Sequence, residues 1–195
     1  MDQTLTLQTA RGAVLLRGER PEDADFLYRL FRSHMLRELA LMPVDDTTRE
    51  SLVRMQFTAQ TESYRTHYPA ARFDIIEHDG AACGRIVVDD DATEACIVDF
   101  ALLPEYRGAG LGTSIMAAML ARLAGRKRPV RCKVLCNNEA SLRMCLRVGF
   151  VQTGGELPFL QLEWTPPDMV QAGEGGDAVG SASGRAAGGA VGGAA

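Results

Sequence analysis

The residues best suited to chemistry lie between Val98 and Gly112. An apolar run, Val98-Asp99-Phe100-Ala101-Leu102-Leu103, stops at Pro104 and re-enters a helical pattern through Arg107-Gly108-Ala109-Gly110-Leu111-Gly112. Glycines reach positive φ and leave the backbone uncovered, and the first turn of the following helix offers N–H groups at the positive end of its dipole. Such a turn is a cradle for an anion and suits a pyrophosphate. Spacing separates the phosphate binders. A Walker loop requires Gly-Lys-Ser/Thr, yet Gly112 is followed by Thr113 and Ser114 without a lysine. A dinucleotide fingerprint starting at Gly108 and Gly110 meets Thr113 at its third glycine, and Arg131 and Lys133 where an acid is needed. Both alternatives fail. Asp99 is the one charge in the apolar run, and burying a carboxyl favours its neutral form, which makes it the best carboxylate candidate for a base or substrate anchor. A structural acid paired inside the fold is the competing reading.

The elements around the turn follow from pattern. Ala13 to Arg17 reads as a strand, and Pro21-Glu22-Asp23 opens a helix with Phe26, Leu27, Leu30 and Phe31 on its apolar face. A second helix begins near Thr47, with Glu50 three residues on as a capping box, and Pro69 ends it. Three strands follow, Arg72 to Glu77, Gly84 to Val88 and Glu94 to Leu103, joined by turns at His78-Asp79-Gly80 and Asp89-Asp90-Asp91, so this portion is an antiparallel meander. The three aspartates lack the spaced ligands of a calcium loop and read as a solvated turn. Beyond the glycine turn, Ile115, Met116, Met119, Leu120 and Leu123 form one helical face that Gly125 ends. Val130 to Cys136 is a strand, Glu139 to Val148 a helix ending at Gly149, and Phe159 to Trp164 a last strand.

Arg107 to Gly112 matches the Arg/Gln-x-x-Gly-x-Gly/Ala pattern of the GNAT acyltransferases, and Asn138-Glu139-Ala140-Ser141-Leu142-Arg143-Met144-Cys145 through Gly149-Phe150 resembles that family's second signature. The resemblance implies an α+β, layered fold: a mixed, mostly antiparallel sheet of six to seven strands, flanked by about four helices and splayed at its centre between Phe100–Leu102 and Lys133–Leu135. It implies acetyl-CoA as co-substrate, its pyrophosphate on Arg107, Gly108, Ala109, Gly110, Leu111, Gly112 and Thr113. Its pantetheine arm would run along Phe100, Ala101 and Leu102 and past Asn138, with the Leu102 backbone facing the thioester oxyanion. The family's tyrosine, a proton donor to the departing thiolate, is replaced by Cys145, whose thiol is a weaker donor or a plain core residue. Asp99 and Cys145 are thus the catalytic candidates. Glu94, His67 and Tyr68 stand behind Asp99, and His34 completes its helix face. Arg126, Lys127, Arg128, Arg143 and Arg147 are expected near the phosphate end, where one or two, not assigned individually, meet the ribose 3′-phosphate and most form a solvated surface.

The bulk properties fit such an enzyme. A chain of 195 residues with 46% hydrophobic content suits one domain, here 1–165, followed by a Gly/Ala-rich segment, 166–195, too poor in large side chains to offset ordering entropy. A net charge of −4 gives no pull toward nucleic acid or an anionic membrane. The five cysteines are odd in number, scattered and free of a Cys-x-x-Cys pair, which points to reduced thiols, a cytoplasmic location and no metal. No window is apolar enough for a membrane span. The expected activity is transfer of acetyl to a primary amine of a small molecule or protein by direct attack, in a monomer or homodimer. The alternative is a non-catalytic acyl-CoA-binding regulatory module.

Overall fold

The structure is a computed structural model that describes residues 4–39, 42–91 and 94–169. The Gly/Ala-rich segment expected from residue 166 therefore lies outside the described residues from 170 onward. In chain order the elements are β1 (Leu5–Thr9), β2 (Gly12–Gly18), α1 (Ala24–Glu38), α2 (Asp46–His67), β3 (Arg72–His78), β4 (Ala81–Asp90) and β5 (Ala95–Leu102). Then follow α3 (Leu111–Ala124), β6 (Val130–Leu135), α4 (Glu139–Arg147), β7 (Val151–Gly154) and β8 (Phe159–Trp164). The strands form one sheet of eight in the order β1-β2-β3-β4-β5-β6-β8-β7. Only β5 and β6 run parallel. The layered α+β architecture is as expected, with eight strands in place of six to seven. The additions are the edge strands β1 and β7. Nothing is buried in β7, and β1 buries only Leu7, so its Leu5-Thr6-Leu7-Gln8 alternation rests on just two apolar residues.

Local chemistry fixes the helices. A single 3-10 turn at Pro21–Asp23 leads into α1. The Asp23 carboxylate accepts the Arg20 amide at 2.8 Å and both terminal nitrogens of Arg17 at 2.7 Å, and Arg17 holds the Asp23 carboxyl below the usual carboxylate range. Helix α2 starts one residue earlier than expected and has a different cap. Asp45 accepts from the Thr48 amide at 2.9 Å, whereas Glu50 turns away to the Tyr28 hydroxyl and Arg32. A carboxylate at the N-cap outcompetes the Thr47–Glu50 capping box because it satisfies the same orphan amides with a full charge. The Asp89–Asp91 turn also differs: Asp90 pairs with Arg126 and Arg128 where α3 ends. Those two arginines thus sit a helix length from the glycine turn, not at the phosphate end.

The sheet is sandwiched. On one face Ile115, Met116, Met119 and Leu120 of α3, with Met144 and Cys145 of α4, pack on Ile86, Ile97, Phe100 and Leu102. On the other, Tyr64 and Tyr68 at the end of α2 meet Phe73, Val87 and Val98, and Leu30 of α1 meets Ala101 and Leu103. A β-bulge in β5 sets these faces. Asp99 pairs with Val87 and Ile97 with Val88, so Val98 is the extra residue. The bulge resets the alternation, letting Ile97 and Phe100 both face α3 while Val98 and Asp99 both face α1 and α2. Opposite Leu102 stands Gly84, where a Cβ would lie 2.3 Å from the Ala101 carbonyl oxygen, so the strands approach too closely for any side chain.

Candidate active site

β5 and β6 pair only from Ala95 to Ile97 against Val130 to Cys132. Beyond that, β5 stays with β4 to Leu102 and β6 stays with β8 to Leu135, so the two strands part. Where they part, the backbone of β5 loses one of its two partners. The Leu103 amide donates to Cys83 O at 2.8 Å. Alternation in an antiparallel ladder then turns the amides of Phe100 and Leu102 away from β4, into the gap. Leu102 is thus a strand-end residue whose N–H is available and whose carbonyl is held by Arg107 Nε at 2.7 Å.

The glycine turn follows. Gly108 and Gly110 have φ of +79° and +84°, and Gly110 caps α3. A Cβ at Gly108 would meet nothing within 4 Å, so that glycine is required by conformation and not by space. The first helical hydrogen bond of α3 runs from the Ser114 amide to Gly110 O at 3.0 Å. The amides of Leu111, Gly112 and Thr113 precede it and point out of the helix end, as an anion cradle requires. Arg107 does something other than face this cradle. Its amide bonds Pro104 O, its Nη2 reaches Ser33 Oγ at 3.3 Å, and the same nitrogen lies 3.2 Å from both ring nitrogens of His34. The side chain ties the turn to α1 and to the end of β5.

Arg11, in the β1–β2 turn, is a site neighbour that no sequence motif points to. Its guanidinium lies 3.4 Å from where a Gly110 Cβ would stand. With Thr113, Ser114, Ala117 and Arg147 it borders an open groove of about 510 Å3 over the first turns of α3. Nothing in the local sequence marks this position. The chain reversal between β1 and β2 brings it there.

A second cleft, of about 430 Å3, lies on the opposite face of the sheet between α1 and α2. Ala101 of β5 and Leu135 of β6 both line it, so it opens onto the gap between the parted strands. Asp99 lines it too, 2% exposed, and its Oδ2 accepts Arg85 Nε at 2.8 Å and Nη2 at 2.5 Å. Arg85 is itself 7% exposed and also donates to Gln60 Oε1 at 3.2 Å. A buried carboxylate and a buried guanidinium therefore neutralise one another. Tyr64 packs its ring under the Arg85 guanidinium at 5.6 Å, and burial with the nearby Asp99 charge pushes its phenol well above the ordinary range. His34 lines the same cleft, a placement its helix-face reading missed.

Asn138 caps α4, its Oδ1 accepting the Ser141 amide at 3.1 Å. Cys145 is 0% exposed and lies in the α3–α4 core against Cys132. The Cys132 thiol donates to the Cys145 sulfur, and that bond with burial holds the proton on Cys132. Glu94 pairs with Arg131, and His67 bonds back to Ser63 O at 2.9 Å, so neither joins the Asp99 cleft.

The glycine turn, the parted strands and the two clefts on either side define a class: a mixed α+β sheet that opens at its middle next to a helix N-terminus. The model of the acetyltransferase (GNAT) family matches residues 36–150, more than half of the chain, and the chain belongs to that family. It is an acyltransferase. The PaiA N-acetyltransferase of Thermoplasma acidophilum, solved with coenzyme A, superposes with a TM-score of 0.59 at 19% identity over 78% of this chain and 98% of that one. Mycobacterium smegmatis RimJ, solved with CoA-disulfide, gives 0.57 at 19% identity over 85% and 88%. The microcin C7 self-immunity acetyltransferase MccE, solved with acetyl-CoA and AMP, gives 0.54 at 16% over 81% and 98%. At these identities the likeness speaks for the fold. No curated protein sequence matches the chain. Among the described residues no helix is long and apolar enough to cross a membrane.

Proposed function

We propose that the chain transfers the acetyl group of acetyl-CoA to a primary amine of a small molecule or protein by direct attack. The observation that carries this is the parting of β5 from β6 immediately before the Gly108–Gly110 turn, because it offers a strand edge for the pantetheine and a helix end for the pyrophosphate in one line. In this reading the amides of Gly108 to Thr113 hold the diphosphate, with Asn138 beside the pantetheine, and Arg107 acts indirectly by anchoring the turn. Phe100, Ala101 and Leu102 supply the strand edge, and the Leu102 N–H faces the carbonyl oxygen as it becomes an oxyanion.

The acceptor enters from the α1–α2 cleft, and Asp99 takes one proton from its ammonium. The neutral nitrogen attacks the thioester carbon, forming the N–C bond. Collapse of the tetrahedral intermediate breaks the C–S bond, and the second proton lost by nitrogen ends on the sulfur of coenzyme A. The proton taken by Asp99 leaves to solvent. Cys145 enters this reading as a core thiol beside Cys132.

Gly110→Asp is the direct test, since it puts a negative charge at the cradle where φ is already positive. Coenzyme A binding by calorimetry should weaken by about ten-fold or more while the circular dichroism spectrum is kept. Unchanged binding would remove the cradle from the reading.

A further inference from the structure

Resting on that reading, we infer that the acceptor is a small monoamine carrying a compact apolar body, anchored by its ammonium at Asp99 Oδ1, rather than a polycation or a peptide. The first observation is the state of Asp99. Both hydrogen bonds it receives among the described residues arrive from Arg85 at Oδ2, and Oδ1 accepts none. That oxygen belongs to a residue 2% exposed which lines the cleft. Oδ1 is not among the buried polar atoms left without a partner, so it keeps access to the cleft, where an ammonium is the donor the reaction supplies.

Charge count limits what that donor may be. Asp99 is the one carboxylate lining the cleft, and Arg85 already balances it. A single ammonium can share Oδ1, whereas a second or third cationic centre would be buried with no counter-charge. The walls limit the rest of the molecule. Leu27, Leu30, Phe31 and Met35 of α1, with Leu135 and Phe159 across from them, form an apolar wall without donors or acceptors in their side chains. Apart from the Arg85–Asp99 pair, the Tyr64 hydroxyl and His34, the polar lining is one stripe of α2, where Gln56, Gln60 and Ser63 recur at helical spacing. On the α1 side a peptide backbone would find only His34, whose ring already meets Arg107, to satisfy its amides. An apolar body with at most one polar substituent suits both sides. A volume of about 430 Å3 lies at the small end of ligand pockets.

The test is a thiol-release assay with acetyl-CoA and three kinds of amine: phenethylamine and hexylamine, spermidine, and a hexapeptide with a free N-terminus. The expected result is kcat/KM for the apolar monoamines at least about ten-fold above that for spermidine and the peptide. Ala59→Trp, at an exposed α2 position on the cleft, should raise KM for phenethylamine more than for hexylamine and leave coenzyme A affinity unchanged. Asp99→Asn should raise KM for both monoamines about ten-fold. Since that variant strips Arg85 of its counter-charge and can unfold, the substrate panel and Ala59→Trp carry the test without it. Preference for spermidine or the peptide overturns the acceptor assignment while leaving the acetyltransferase reading intact. Acetyl-CoA binding without turnover of any amine overturns it as well. Loss of coenzyme A affinity altogether ends the underlying reading.

Discussion

At the scale of single residues, the candidate catalytic pair divides by environment. Asp99 stands on the wall of a cleft with one oxygen uncommitted, but Cys145 is sealed beneath α4, where its sulfur accepts from Cys132. A proton donor must reach the sulfur of coenzyme A, and a thiol fully enclosed by the α3–α4 core has no open path to it. Cys145→Ala should therefore cost stability, roughly 0.5–3 kcal/mol for a vacated core position, and leave kcat close to that of the parent. Urea unfolding and steady-state kinetics on the same preparation separate the two. A fall in kcat of about a hundred-fold, the contribution of a positioned general acid, would make the thiol catalytic after all. Sequence alone could not decide this, because the spacing that aligns Cys145 with a tyrosine says nothing of where a shorter side chain ends. It was equally silent on Arg11 and His34, whose places depend on β1 pairing with β2 and on α1 lying over the end of β5.

At the scale of elements, the legible parts were those with strong local signals. The α3 stripe, the Gly125 stop and the strand Phe159–Trp164 were all readable because each rests on a local pattern or a single terminating residue. The bulge at Val98 was not readable, since an apolar run looks the same with or without an extra residue, yet that residue puts Asp99 on the acceptor face. The close approach at Gly84 is a second hidden constraint on β5. Gly84→Ala would drive a methyl to within 2.3 Å of the Ala101 carbonyl and 2.6 Å of the Leu102 side chain. The neighbour that would have to move is backbone, so β4 and β5 must separate at the strand end that faces the gap. The variant should lose about 1–3 kcal/mol in chemical denaturation and weaken coenzyme A binding, although Gly84 itself is on β4. A variant as stable as its parent would show that the two strands can slide apart without cost.

At the scale of the whole molecule, the parted sheet is a stability problem that a ligand can relieve. A continuous sheet would satisfy the edges of β5 and β6 with each other. Here β5 is held by β4 and β6 by β8, and among the described residues only the three-residue pairing from Ala95 to Ile97 joins the two halves strand to strand. The helices bridge what the strands do not: α3 and α4 share one core across Phe100, Val134 and Leu162. A molecule that lies between the strands and touches both halves binds the folded state alone, so mass action must stabilise it. At a hundred-fold excess of acetyl-CoA over its dissociation constant the gain is about 2.7 kcal/mol. For a chain of this length that corresponds to a rise in Tm of roughly 5–10 °C. At the same concentration, adenosine 3′,5′-bisphosphate, which fills the phosphate end but spans no gap, should bind more weakly and give a smaller rise. Equal shifts for the two would mean that the pantetheine arm adds nothing between β5 and β6, and the parted strands would then have no part in holding the donor.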